Sequence, residues 1–443
     1  MSTEIHTKKN RWLIAASAVG IHISIGSVYA WSVYTKPLIA EFGWDLKDTQ
    51  FTFSFAIFFL GLSAAFLGHF LEKHGPRKAG MLSALFFGVG IAGSGVAILL
   101  KSLPLLYLFY GVLGGIGLGI GYITPVSSLV KWFPDRRGMA TGLAIMGFGF
   151  AAMISGPLIA ELIINIGIAN TFFTMGSVYF ALIFISSRYL APPPAGWLPK
   201  GFDPTHEKHK KRIKKDLSQL TANEAVKTLR FWYLWIMLFI NITCGIAIIS
   251  VASPMAQEYA GLSVVAAATM VGLMGLFNGG GRIGWASFSD IIGRPNTYTV
   301  FFLLQIAAYM LLPNVGSAIL FQGLIFLIMT CYGGGFASIP AYIGDMFGTK
   351  QLGAIHGYIL TAWAAAGMVG PLTAAWVKDV TNSYDKTLYF FVALFGVALL
   401  VSLLIRLEIK KLRKHQENQE RKETMKMTTN VRVVGEVREP EMV

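Results

Sequence analysis

The sequence is poor in charge. Only 14% of its 443 residues are Asp, Glu, Lys or Arg, while 54% are hydrophobic; a soluble domain carries about 25% charged residues. Cysteine is nearly absent. Cys244 and Cys331 both fall in apolar runs, and no Cys/His spacing fits a metal site. That excludes a disulfide scaffold or a zinc centre and leaves two buried free thiols. Short alternating segments are missing too, which excludes an outer-membrane β-barrel. No nucleophile–base pair, metal cluster or phosphate loop stands out, so we expect no enzyme, no metal and no cofactor. The glycines from Gly111 to Gly121 include dinucleotide-like spacing, but that fingerprint needs a preceding strand and a later acid.

What the chain has instead is long apolar runs, each near the ~20 residues that cross a hydrocarbon core. Twelve spans are predicted, at 12–35, 49–70, 79–100, 104–130, 138–163, 168–190, 231–256, 262–288, 297–313, 316–344, 352–377 and 386–408. The first is too long for a signal-peptide core and has no small-residue cleavage site after it, so it is expected to be retained. Of the 37 lysines and arginines, 31 fall on the side holding both termini and five on the other. By the positive-inside rule both termini are cytoplasmic, in a multi-pass protein of the plasma membrane. The net charge of +14 is then a matter of topology and anionic lipid, with no nucleic acid implied.

The basic residue left over is Arg282, in "FNGGGRIGW" (277–285). A guanidinium in a membrane helix costs about 2.5–3.5 kcal/mol on insertion scales. Counted at 1.5 Å per residue, it lies roughly ten ångströms to the cytoplasmic side of midplane. A snorkelling structural arginine is the bland alternative; an anion-binding guanidinium fits better, because it stays protonated and its fork matches a carboxylate. Asn278, one turn earlier, can orient it or hold the carboxylate's other oxygen. Gly279, Gly280 and Gly281 weaken the helix but let a helix or substrate approach the backbone.

Residues 191–230 interrupt the apolar pattern with a Pro-rich stretch, a basic run and "LTANEAVKTLR", which reads as a short amphipathic helix. They separate an N-terminal half (1–190) from a C-terminal half (231–408); 409–443 is polar and reads as a disordered tail. The halves repeat. "GHFLEKHGPRK" (68–78) matches "ASFSDIIGRPN" (286–296), and "WFPDRRGMATG" matches "MFGTKQLGAIHG", each followed by "GPL". Even spans map onto even spans, which gives parallel halves with a midplane site between them.

The loop after the second span resembles the signature of the major facilitator superfamily. "VYAWSVYTKP", "KWFPDRRG", "FNGGGRIGW" and "SDIIGR" together resemble the oxalate:formate antiporter family, a relative of the monocarboxylate porters. The resemblance implies an all-α membrane protein of twelve transmembrane helices in two pseudo-symmetric six-helix halves, the major facilitator fold. It implies that Arg282 binds substrate and that Tyr29, Tyr122, Phe148, Tyr332, Phe336 and Gln50 line the cavity. Trp31 is a further aromatic expected where the halves meet. The monocarboxylate porters carry an Asp where this chain has Asn278, and an amide does not titrate, so no proton is expected at that position. The family's oxalate carrier has a second cation in span eleven where "HGYILTAWAAAG" puts Trp363. One fixed charge neutralises a monoanion and leaves a dianion half compensated. The expected function is therefore secondary transport of a small monocarboxylate, such as lactate, pyruvate or formate, by symport or antiport with a proton or counter-anion. Oxalate/formate exchange is the alternative, and a carboxylate-binding receptor the alternative of another class. A monomer surrounded by lipid suffices. Glu72, Lys73, Arg77, Asp290 and Arg294 are expected to form ion pairs that gate the cytoplasmic side. For a proton, His22 is the candidate, although a hydrogen-bonded core histidine is the commoner reading; His356 and His69 lie nearer the cytoplasmic ends.

Overall fold

The computed structural model describes residues 9–44, 46–200, 202 and 216–436. They are helical almost throughout. The first span is α1 (Arg11–Ile25), whose Asn10 Oδ1 accepts from Trp12 N, a 3₁₀ turn over Gly26–Ala30, and α2 (Ser32–Phe42). Next come α3 (Leu46–His74) and α4 (Pro76–Leu99). The fourth span joins α5 (Leu103–Leu106), a π-helical stretch and α6 (Gly115–Trp132). Helix α7 (Arg137–Tyr189) holds spans five and six, broken at Gly167 with φ 79°.

The second half runs through α9 (Leu229–Ala260), α10 (Val264–Ile292), α11 (Arg294–Leu311) and α12 (Ala318–Phe347). Span eleven is α13 (Leu352–Ile359) with α14 (Thr361–Thr381), and α15 (Asp385–Glu436) closes the chain. Ten of these stretches are long and apolar enough to cross a bilayer. One holds two spans joined at Gly167, and the 29-residue α10, about 43 Å long, brings the number to twelve. The outer surface is apolar, with Ile164, Ile291 and Ile319 at least 80% exposed, as a lipid-facing surface requires.

The internal repeat shows in the turns. Gly75 (φ 82°) ends α3 and Gly293 (φ 86°) ends α10, each a positive-φ stop just ahead of a proline in the first turn of the next helix, Pro76 and Pro295. Between the halves lies α8 (Ala222–Ala225), a single turn within the stretch expected to form a short amphipathic helix. Its Thr221–Glu224 capping box stops it from fraying, and the Thr221 N–H and hydroxyl hold the Glu224 carboxyl below its ordinary pKa. Just before it, Leu217 N and Leu220 N donate to Asp345 O and Phe347 O, fixing the end of the linker to α12. The basic run at 206–215 lies outside the described residues.

The chain from 409 to 436 continues α15 as helix; 437–443 lies outside the described residues. Its Glu, Lys, Arg and Gln are good helix formers, and the apolar span in front of them supplies the nucleus.

Candidate anion-binding site

Span five of α7 packs on α10, and α3 packs on α13 and α14; these are the seams between the halves. At the first seam Gly149 and Gly279 meet backbone to backbone, with the Phe150 ring also seated against Gly279. A Cβ on Gly149 would stand 2.7 Å from Gly279 Cα, and one on Gly281 would stand 2.4 Å from Thr330 O. So two of the three consecutive glycines serve helix packing, Gly279 towards span five and Gly281 towards α12, while Gly280 has open space.

That close approach buries Arg282 completely. Its Nε donates to Asn278 Oδ1 at 3.0 Å, while Nη1 and Nη2 have no hydrogen-bond partner. Asn278 is thus the orienting residue, one helical turn away. Among the described residues no carboxylate pairs with Arg282. Its guanidinium carbon lies 5.6 Å from the Phe148 ring and 5.2 Å from the Phe336 ring, cation–π contacts that partly offset the burial.

Around the guanidinium six aromatic rings form a continuous chain. Tyr29 meets Phe148 at 4.9 Å, Phe148 meets Tyr122 and Trp363 at 5.6 Å, Trp363 meets Phe336 at 4.6 Å, and Phe336 meets Tyr332 at 5.3 Å. Tyr29, Tyr122 and Phe148 belong to the first half; Tyr332, Phe336 and Trp363 belong to the second. The hydroxyls of Tyr29, Tyr122 and Tyr332 are buried and make no close, well-aligned hydrogen bond, but Tyr29 and Tyr122 lie within reach of the Arg282 guanidinium and Tyr29 within reach of Tyr332, and the Arg282 charge acts on all three. A fixed cation with two free N–H ends, walled by rings and phenols, suits a small anion with a flat face. Phenol hydroxyls can donate to its oxygens, and exclusion of water strengthens the charge attraction.

Eight sequence-chosen residues thus come together: Arg282, Asn278, Tyr29, Tyr122, Phe148, Tyr332, Phe336 and Trp363. The Gln50 side chain lies outside the described residues. Trp31 does not join them; it packs on Tyr34 and Tyr110 inside the first half. His22 does sit beside the cage, 5.3 Å from Tyr122.

On the face carrying both termini, a second set of contacts crosses the seams. Glu72 Oε1 accepts from Gly353 N at 2.7 Å, at the start of α13 in the opposite half. Asp290 accepts from Gly138 N and Met139 N, both at 2.9 Å, at the start of α7 in the opposite half. The repeated loop therefore places one acid per half on a helix N-terminus of the other half, where unpaired N–H groups and the helix dipole favour a carboxylate. Arg294 pairs with Asp290, and Lys131 pairs with Glu72. Lys73 and Arg77, expected in these pairs, are exposed and make no ion pair among the described residues. From the edge of the membrane their long stems reach solvent, and Lys131 takes the position beside Glu72. Sequence reading missed Arg137, which bridges Asp216 of the linker and Asp345 of α12.

The chain matches the family described as Major Facilitator Superfamily over residues 17–371 and again over 285–439. It is 28% identical over 364 residues to the oxalate:formate antiporter of Oxalobacter formigenes, covering 82% of this chain and 83% of that one. With apicoplast pyruvate carrier 1 of Toxoplasma gondii it shares 23% identity, over 82% and 83% of the two chains. The Escherichia coli fucose:proton symporter has a similar fold, with TM-score 0.67 at 13% identity, covering 88% of this chain and 98% of that one.

Proposed function

Since the chain belongs to the major facilitator superfamily, whose two halves rock about a central site, we propose that it is a secondary transporter of small monocarboxylates. One observation carries this reading: Arg282 is fully buried, with both Nη atoms unpaired, inside a cage built by both halves. A buried charge without a counter-ion is costly; a carboxylate in the cage supplies the counter-ion and satisfies both free ends of the fork. The relatives that act on oxalate, formate and pyruvate support the substrate class.

Loading and release need the seams to part in turn. On the termini face, which we take as cytoplasmic from its basic residues, Glu72 and Asp290 hold the halves together by their helix-end bonds. Rocking breaks both sets and opens the cage to that side. The protein acts in this scheme as a carrier, with no bond made or broken in the substrate, and a monomer holds the complete path.

Exchange of oxalate for formate is the competing reading, because a relative is named for it. Trp363 stands against it, as a neutral, fully buried wall of the cage. Uptake of labelled lactate, pyruvate, formate and oxalate into proteoliposomes separates the two. Monocarboxylate uptake is expected without internal oxalate. Oxalate uptake that requires internal formate, with no lactate or pyruvate transport, overturns our assignment.

A further inference from the structure

Beside the cage lies a polar group that anion binding does not use. His22 in α1 and His356 in α13 flank Tyr122, with ring centroids at 5.3 and 5.8 Å. They belong to different halves, and both are buried. His22 Nδ1 contacts Ala18 O at 3.0 Å. A carbonyl only accepts, so Nδ1 carries the hydrogen and Nε2 is the bare, basic nitrogen. That Nε2 makes no well-aligned hydrogen bond, the Tyr122 backbone being its nearby polar neighbour, and neither ring nitrogen of His356 makes one. A histidine kept only for packing is not expected to leave such atoms orphaned in the interior.

We infer that His22 and His356 form a proton-binding pair whose occupancy is coupled to the anion at Arg282. The inference rests on the carboxylate reading of the cage. The groups that bear on the pair are few. Burial bears first on both rings; the Ala18 and Tyr122 backbones and Arg282 also act on His22, and His22 acts on His356. Tyr122 stands between them, its buried hydroxyl within reach of Arg282. On α3, packed against α13, Glu72 is taken up by Gly353 N and Lys131, and the His69 ring lies against Tyr358. No carboxylate among the described residues has a hydrogen bond or ion pair with either imidazole.

With the cage empty, a proton on Nε2 of His22 is repelled by Arg282. An anion neutralises that repulsion, so the proton and the anion bind together. By reciprocity, lowering the pH must tighten anion binding by the same factor. The proton is taken from water on one face and returned to water on the other when rocking parts the two halves and, with them, the two rings. Arg282 supplies the fixed charge and the histidines supply the site that titrates, a role Asn278 cannot fill.

Calorimetry of lactate, pyruvate and formate binding to the purified full chain, in buffers of different ionisation enthalpy between pH 5 and 8, counts the protons taken up per anion. About one proton per anion is expected at some pH in that range, with affinity weakening up to tenfold per pH unit as pH rises. In His22→Gln and His356→Gln the pH at which uptake is greatest shifts, and in the double variant uptake vanishes and affinity no longer depends on pH. Wild-type binding without proton uptake overturns the proton site and leaves the anion site standing. Undiminished proton uptake in the double variant also overturns it. If wild type binds none of the three acids, the carboxylate reading itself fails and takes the pair with it. Should the double variant not fold, unchanged uptake and pH dependence in both single variants is the refuting result.

Discussion

Replacing Arg282 by Gln is expected to abolish function while making the empty protein more stable. The two consequences come from the same geometry. Both free Nη atoms face the cage, and charge-assisted hydrogen bonds are worth about 1.5–3 kcal/mol each. Losing two removes about 3–6 kcal/mol, or roughly 10²–10⁴-fold in affinity. Arg282→Lys keeps the charge but presents a point donor in place of a fork; losing one bond gives about 10–10²-fold. Stability moves the other way. Arg282 has one close, well-aligned side-chain hydrogen bond, to Asn278, weaker contacts with the Tyr29 and Tyr122 hydroxyls, and no ion-pair partner among the described residues. Deleting a buried, uncompensated charge relieves a desolvation penalty, unlike deletion of one member of a pair. Counterflow of labelled lactate measures the first effect and thermal unfolding in detergent without substrate measures the second. A variant that unfolds more easily yet still transports with unchanged affinity refutes the reasoning and makes Arg282 a packing residue.

Trp363→Lys adds a second cation to the cage wall and should shift competition from lactate towards oxalate; an unchanged preference contradicts the charge count. Glu72→Gln and Asp290→Asn each weaken a helix-end bond across a seam by about 0.5–2 kcal/mol. Maleimide should then label a cysteine placed at the buried Ala354 severalfold faster, and no change in rate counts against a gating role. Gly149→Ala puts a methyl 2.7 Å from the Gly279 Cα; a loss of about 1–3 kcal/mol, read as a lower unfolding temperature, is expected from overpacking, and a neutral result means the seam is looser than described.

Much of this was legible in the chain because it was written locally. Apolar runs gave the spans, and a charge stranded in one of them marked Arg282. Asn278 follows from helical spacing alone, and the repeated loop announced Glu72 and Asp290. Contacts between distant helices were harder to foresee. His356 looks peripheral in sequence, about 6 Å from the start of α13, and only packing against α6 puts it beside Tyr122. Trp31 sits two residues from Tyr29, but the 3₁₀ turn Gly26–Ala30 sends them to different neighbours. Lys73 and Arg77 follow the charge pattern of the loop, while the position beside Glu72 is filled by Lys131, 59 residues away in sequence. In the tail, polarity alone carries no periodicity, while charged residues of high helix propensity extend the helix already begun in the last span.

The crossing of Gly149 and Gly279 has a mechanical consequence. Where two backbones touch directly, the contact works as a fulcrum. Arg282 is within one turn of it, while the end of α10 at Ile292 is about 20 Å away along the helix. A rotation of about 15°, the size seen in allosteric rigid-body motions, swings that far end by about 5 Å and displaces the guanidinium by little more than 1 Å. The lever is long at Asp290 and short at Arg282, as the proposed rocking of the halves requires.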